Sequence, residues 1–374
     1  MKIAFCLFRY FPFGGLQRDF LKIAGECRRR GHEIQVFTTS WEGEVPSGMA
    51  IHVLPARGVS NHGRALAFAN RVGERLADGG FDRVVGFNKM PGLDVYFAAD
   101  PCYQARMSER GGLLRRISPR CRTYRKLEEA VFGPDAKAHI LCLTEEARQQ
   151  YMRQYGTPAE RFHLLPPGIS RTAVDWPARE EIRRRIRAEL GLEAAEIFLL
   201  MVGSGYRTKG VDRSIEALAG LPAALRGRCR LYVIGQGKAA PLQRLAARLG
   251  VADRVRFLGA RNDVPRYLLG ADLLLHPSVT EAAGMVLLEA MLAGLPILAS
   301  EVCGYGFHIV RAGAGLLAPE PFAVAEFGRR LEAMLTSPEL SVWSQNGRRY
   351  AESADLFSLA ERAADIIEQI RGAE

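Results

Sequence analysis

Two carboxylates, Glu281 and Glu289, bracket the apolar stretch EAAGMVLLEAMLAGLP (281–296). Such a run belongs in a core, where an unpartnered carboxylate is costly. The strand-like DLLLHPS before it ends at Pro277, and a helix is predicted from about Ala283 or Gly284, so Glu281 falls on the loop and Glu289 on the second helical turn. The first-turn N–H groups of Ala283, Gly284, Met285 and Val286 would then be free donors between two acceptors. That array suits a ligand that is part anion and part polyol, such as a nucleotide-sugar. The alternative is a helix-capping Glu281 and a half-buried Glu289 satisfied by backbone or arginine.

A second cluster sits in VGSGYRTKGVDRSIEAL (202–218), where Gly203, Gly205 and Gly210 surround Arg207 and Lys209. Gly205 and Gly210 have P-loop spacing, but Val211 stands where that motif needs Lys, which speaks against a mononucleotide triphosphatase. Two cations beside a helix start still suit a diphosphate, against the alternative of a solvated loop. A third candidate is FPFGGLQRDF (11–20): Gly14 and Gly15 mark a strand-to-helix turn where backbone could approach a ligand, or a plain turn. There is no G-x-G-x-x-G, D-x-D, H-E-x-x-H or G-x-S-x-G. A nicotinamide site, a metal-held diphosphate and a serine hydrolase are therefore not expected, and helix ends with Arg and Lys must neutralise any phosphate.

These loops need a scaffold, and the rest of the chain supplies its pattern. With 374 residues, two domains are expected. Strand-like runs at 2–8, 34–38, 51–54, 83–87 and 138–143 alternate with helical patterns, and the alternation resumes at 197–202, 230–234, 255–258, 272–276 and 296–300. Such alternation predicts α/β architecture: two Rossmann-like parallel-sheet domains with ligands beyond the carboxyl ends of the strands, in a cleft between the halves. LLPPGISRTAVDWPARE (164–180) reads as the linker, giving domains at 1–168 and 169–355, with a last helix in 356–374 crossing back to the first. REEIRRRIRAEL (179–190) reads as a solvated charged helix, with Glu180–Arg184 and Glu181–Arg185 at i,i+4 spacing.

No run approaches the roughly 20 apolar residues of a membrane span, and Ile3–Phe8 is short for a signal-peptide core. A cytoplasmic protein is expected. The seven scattered cysteines suggest neither a disulfide framework nor a zinc site. A net charge of +10 asks for an anionic partner, and half of it lies in residues 103–133. There Arg106, Arg110, Arg115, Arg116, Arg120, Arg122, Arg125 and Lys126 face three glutamates, with Leu113, Leu114, Ile117, Tyr124, Leu127 and Val131 interleaved at helical intervals. The pattern predicts an amphipathic element on an anionic membrane surface, the alternative being a solvated helical hairpin. No RNA-binding or zinc-finger signature accompanies it, so nucleic acid is not an expected partner.

The paired halves, the Gly-Gly turn, YRTKG, GARNDVPRYLLGADLLLHPS and the E-x7-E of Glu281 and Glu289 resemble the retaining glycosyltransferases of family 4, which have the GT-B fold. YFPFGGLQRDF, VVGFNKMPGLDVYFAAD, LPPGI and KGVDRSIEALA resemble the branch of that family that builds the lipopolysaccharide core. The resemblance implies α-linked transfer of a hexose from a UDP-sugar to an inner-core heptose, on the inner face of a Gram-negative inner membrane, by a peripheral enzyme. Glucose is the expected sugar; galactose or an N-acetylhexosamine is the alternative, and a UDP-sugar 2-epimerase a more distant one.

It also implies roles. Glu289 would hold the ribose, Glu281 the donor sugar, and the backbone of Ala283, Gly284, Met285 and Val286 the sugar and diphosphate. Lys209 and Arg207 would stabilise the departing UDP, although Thr208 separates cations expected to be adjacent. Gly14 and Gly15 would approach the diphosphate, Arg261 the uracil, Asp100 the donor sugar and Asp19 the acceptor. The implied mechanism is front-face attack with the leaving phosphate taking the acceptor proton, requiring neither a protein nucleophile nor a metal.

Overall fold

A computed structural model describes residues 1–12, 14–56, 58–110, 117–171 and 174–370. The chain divides into two compact units, Met1–Gly168 with Ser358–Glu374, and Ile169–Phe357.

The first unit is a seven-stranded sheet in the order β3-β2-β1-β4-β5-β6-β7, every pair parallel. Its strands are β1 (Lys2–Cys6), β2 (Glu33–Thr38), β3 (Met49–Val53), β4 (Arg83–Gly86), β5 (Val95–Ala98), β6 (His139–Cys142) and β7 (Phe162–Leu164). β1 is buried from Ile3 to Cys6, as a central parallel strand covered on both faces must be. Phe20, on the helix Gly15–Arg29, packs edge-on against Phe5 and Phe87, with ring centroids 5.9 and 5.4 Å apart. The helix Leu359–Gln369 buries Leu359, Ala363, Ala364 and Ile367, and Arg30 bonds its Asp365 and Glu368 at 2.8 and 2.9 Å while keeping Glu26.

The second unit has six parallel strands in the order β10-β9-β8-β11-β12-β13: β8 (Ile197–Val202), β9 (Cys229–Ile234), β10 (Val255–Gly259), β11 (Leu273–His276), β12 (Ile297–Ser300) and β13 (Gly315–Ala318). In each sheet the order reverses once, between β1 and β4 and between β8 and β11. Loops leaving the carboxyl ends of those strands flank a gap no crossover covers, the usual ligand position in open α/β sheets.

β5, β7 and β13 were not among the expected strands. All are three or four residues long, too short for alternation to show. The charged helix Arg179–Leu190 is only partly solvated. Glu181 does pair with Arg185, but Glu180 meets Arg179 rather than Arg184, and Arg183 and Arg187 turn inward to hold Asp272 at the start of β11.

The basic segment also differs from the expected continuous amphipathic surface. It holds two helices, Tyr103–Arg110 and Pro119–Phe132, the second capped by Ser118, whose Oγ accepts the Cys121 N–H at 3.2 Å. Leu127 and Val131 are buried in the protein core, Tyr124 is half-buried, and only Ile117 is left out, at 64 % exposure. Periodicity marks an apolar face but not what covers it; here much of it is covered by protein, at about 1.5–3 kcal/mol for each fully buried side chain. The cations Arg106, Arg120, Arg122, Arg125 and Lys126 are exposed. Arg115, Arg116, Leu113, Leu114 and the Arg110 side chain lie outside the described residues.

All seven cysteines are free and buried. Burial pushes the Cys6, Cys102 and Cys142 thiols up to about 12, leaving them inert packing groups. Among the described residues no helix is long and apolar enough to cross a membrane.

Candidate active site

In the second unit the loops after β8 and β11 meet at the strand-order reversal. Gly210 makes the meeting possible: its φ is +68°, and a Cβ there would lie 2.1 Å from the Pro277 carbonyl oxygen. The Val279 N–H donates to Thr208 O at 2.8 Å, and Arg213 donates to the Pro277 and Ser278 carbonyls at 3.1 and 3.0 Å. Across this junction Lys209 Nζ forms a salt bridge with Glu281 Oε2. The same oxygen lies 3.2 Å from His276 Nε2 and 3.4 Å from Ser278 Oγ, and Ser278 Oγ is 3.1 Å from His276 Nε2. Burial pushes the Glu281 carboxyl up, but His276 and Lys209 outweigh it and bring its pKa down to about 2. The carboxylate is therefore charged at any physiological pH.

Several of the loop's amides are already used: Gly203 and Gly205 donate to Ile234 O and Gln236 O, and Thr208 and Lys209 both donate to Gly205 O. The side chains of Lys209 and Arg207 add its cationic capacity for an anion. Arg207 is exposed and, among the described residues, forms no ion pair; the loop unites Lys209 with Glu281 and leaves Arg207 outside.

The helix carrying Glu289 starts slightly later than expected, at Met285, because Gly284 takes a left-handed cap conformation with φ 95°. Ala283 thus lies before the cap rather than in the first turn, and its carbonyl accepts the Tyr305 N–H at 2.8 Å. Leu287 N–H closes back on Gly284 O at 2.9 Å, which leaves Met285 and Val286 as the first-turn donors of the expected set. Glu289 is half-buried on the second turn and is already engaged within the protein.

The first unit carries a cavity of about 890 Å³ at its own reversal point, between the loop after β1 (Phe8, Arg9) and the loop after β4 (Asn88, Lys89). Asn88 Oδ1 accepts the Phe8 N–H at 2.6 Å and ties the two loops. Asp100 is exposed on the cavity wall. Behind that wall Glu128, fully buried, accepts from Lys89 Nζ at 2.5 Å, Tyr155 Oη at 2.6 Å, and the N–H groups of Tyr103 and Gln104, both at 2.9 Å. Burial pushes its carboxyl up, yet Lys89, Tyr103 and Tyr155 together hold it below its ordinary value. Glu128 thereby fixes the first turn of the helix Tyr103–Arg110.

Residues 13–172 match the model of glycosyltransferase family 4, and residues 182–350 that of glycosyl transferases group 1. The lipopolysaccharide glucosyltransferase WaaG of Escherichia coli (strain K12) is 46% identical over 98% of this chain and 98% of its own length. The chain belongs to the family 4 glycosyltransferases. The crystal structure of WaaG superposes with a TM-score of 0.94 at 45% identity, covering 98% of this chain and 100% of that one, so the fold is GT-B. Anabaena HepE in complex with UDP-glucose shares that fold, with a TM-score of 0.76 at 19% identity over 99% of this chain and 100% of its own.

The other residues expected to act in a family 4 enzyme are placed as follows. Arg261 is partly exposed, forked onto Asp263 at 2.7 and 3.0 Å, with its guanidinium 5.2 Å from the centre of the Tyr267 ring. Gly14 caps the helix Gly15–Arg29, and a Cβ at Gly14 would strike the Gln17 side chain, which donates to Arg9 O at 2.9 Å. A Cβ at Gly15 would meet nothing within 4 Å. Asp19 is buried and already engaged. Sequence reasoning missed His276 and Ser278, which contact the Glu281 carboxylate, and the Lys89–Glu128 pair. For the first two a signal existed: HPS begins at the last residue of β11 and precedes Glu281 by a few residues.

Proposed function

We propose that this family 4 glycosyltransferase moves glucose, with retention, from UDP-glucose to an inner-core heptose of lipopolysaccharide. The observation that carries this reading is the likeness to the E. coli lipopolysaccharide glucosyltransferase, 46% identity over 98% of both chains. The chemistry of the second unit suits it. Glu281, held ionised, accepts from sugar hydroxyls, and Glu289 takes the ribose. The backbone around Gly284, Met285 and Val286 meets sugar and diphosphate, and Arg261 meets the base. When a donor diphosphate enters, Lys209 exchanges part of its bond to Glu281 for a phosphate oxygen, and Arg207 adds a second cation. Catalysis then rests on positioning and on cations aimed at the charge growing on UDP, and no metal is invoked.

A panel of UDP-sugars assayed with core-truncated lipopolysaccharide tests this reading. UDP release and glucosylated product are expected with UDP-glucose, at rates well above those with UDP-galactose or UDP-N-acetylhexosamines. A faster reaction with another donor would replace glucose, and interconversion of the UDP-sugar without transfer would indicate an epimerase.

The exposed cations Arg122, Arg125 and Lys126, beside the exposed Ile117, support a peripheral seat on anionic lipid, at about 1 kcal/mol per cation near the headgroups. Binding to vesicles containing anionic lipid should fall steeply as salt rises; equal affinity for purely zwitterionic vesicles would remove the electrostatic part.

A further inference from the structure

Many of the described arginines are tied to an acid or a carbonyl; three exposed ones that line a single cavity are not. Among the described residues no ion pair or side-chain hydrogen bond engages Arg9 or Arg106, and Arg120 has only the face of the Tyr124 ring, 5.8 Å from its centre. They come from three separate places: the loop after β1, the helix Tyr103–Arg110 and the first turn of the helix Pro119–Phe132. Lys89 also lines the cavity, but Glu128 neutralises it. Among the described lining residues Asp100 is the one carboxylate, and three guanidiniums without an ion pair share the wall with it.

An unpaired guanidinium is a fork of donors awaiting a planar or tetrahedral oxyanion. Three on the wall of one concavity raise the local potential more than they would on a convex surface. The cavity lies at the carboxyl ends of β1 and β4, at the strand-order reversal, and its volume of about 890 Å³ falls within the ~300–1,000 Å³ range of small-molecule sites. Asn61 and Asn88 add neutral donors and acceptors, and the Tyr103 and Tyr124 rings, 5.2 Å apart, form an apolar wall. Amides, a carboxylate and flat apolar surface suit a saccharide; three free arginines suit one that carries acid groups.

We propose that this cavity is an acceptor subsite that selects a saccharide bearing carboxylate or phosphate groups, gripped by Arg9, Arg106 and Arg120. The inference rests on the glycosyl-transfer reading above and divides the basic segment: Arg106 and Arg120 serve the acceptor, while Arg122, Arg125 and Lys126 serve the membrane.

Steady-state kinetics with delipidated core oligosaccharide tests the division without any bilayer. Three acceptors are compared: the native acidic oligosaccharide, one with its phosphates removed, and one with its carboxylates reduced to alcohols. Each of Arg9→Gln, Arg106→Gln and Arg120→Gln should raise KM for the acidic acceptor by roughly tenfold or more, with kcat and the donor KM within about twofold of wild type. Against the modified acceptor that has lost the recognised acid, the same variants should match wild type, which a general packing defect would not allow. Arg248→Gln, removing one exposed charge in the second unit, should change nothing. Whichever modification raises the wild-type KM identifies the acid recognised. Unchanged KM in all three variants, or a wild type indifferent to both modifications, overturns the subsite. A wild type that glycosylates none of the three acceptors overturns the functional reading instead.

Discussion

Replacing Lys209 by alanine is expected to lower kcat by roughly 100- to 1,000-fold, the usual cost of removing one preorganised group opposite a charge that grows in the transition state. The fold should survive. The loop after β8 is held by main-chain bonds and by Gly210 pressed on Pro277, none of which needs the lysine side chain. Glu281 would keep His276 and Ser278 as neighbours, so no buried charge is orphaned. Lys209→Arg should recover only part of the rate, because a planar fork does not reproduce a compact ammonium. UDP release at saturating donor and acceptor reads the effect, with thermal unfolding as the check on folding. A near-wild-type kcat in Lys209→Ala would remove the lysine from leaving-group stabilisation. In the free protein this ammonium is paired with Glu281, so on the proposed reading the pair is a resting state whose partner an incoming diphosphate would displace.

Glu128→Ala is expected to be the most destabilising single change in the first unit, by about 3–5 kcal/mol. It would strand Lys89 without its counter-charge and leave the Tyr103 and Gln104 amides without their acceptor. Hydrogen exchange in peptides spanning 102–108 should accelerate sharply, and unchanged protection there would show that the helix Tyr103–Arg110 does not depend on Glu128. Glu128→Gln should be milder at neutral pH. The sign of the pH dependence follows from the depressed carboxyl: the charge of Glu128 stabilises fully above its ordinary value of 4.5, and that contribution disappears as pH falls through the lower value of the folded protein. The stability gap between wild type and Glu128→Gln should therefore narrow in acid.

How far the sequence could be read depended on what each signal reports. Long buried strands such as Ile197–Val202 are nearly all apolar and stand out; Gly315–Ala318 is four residues beginning with glycine and does not. The spacing of Glu281 and Glu289 pointed to a polar ligand, but the partner of Glu281 is seventy-two positions away, and only the adjacency of β8 and β11 brings Lys209 to it. Spacing along a chain cannot reveal such a pair. The basic segment misled in the opposite direction. Its apolar residues have helical spacing, yet Leu127 and Val131 face protein, because periodicity carries no information about which medium an apolar face meets. Lys89 and Glu128 lie thirty-nine positions apart, and Glu128 is one charge among several in a charged run, so nothing local marked the pair.

The helix Leu359–Gln369 gives the molecule a particular order of assembly. It lays four apolar side chains into the first unit and anchors itself to Arg30 and His32, so that unit lacks a wall until residues beyond 358 have been made. The second unit, a single uninterrupted stretch from 169 to 357, has all its strands by residue 318. During synthesis the half begun second can therefore close first, while the half begun first waits with the flank of its opening helix exposed. A ribosome stalled beyond residue 357 would hold a fully synthesised second unit joined to a first unit still lacking its last helix.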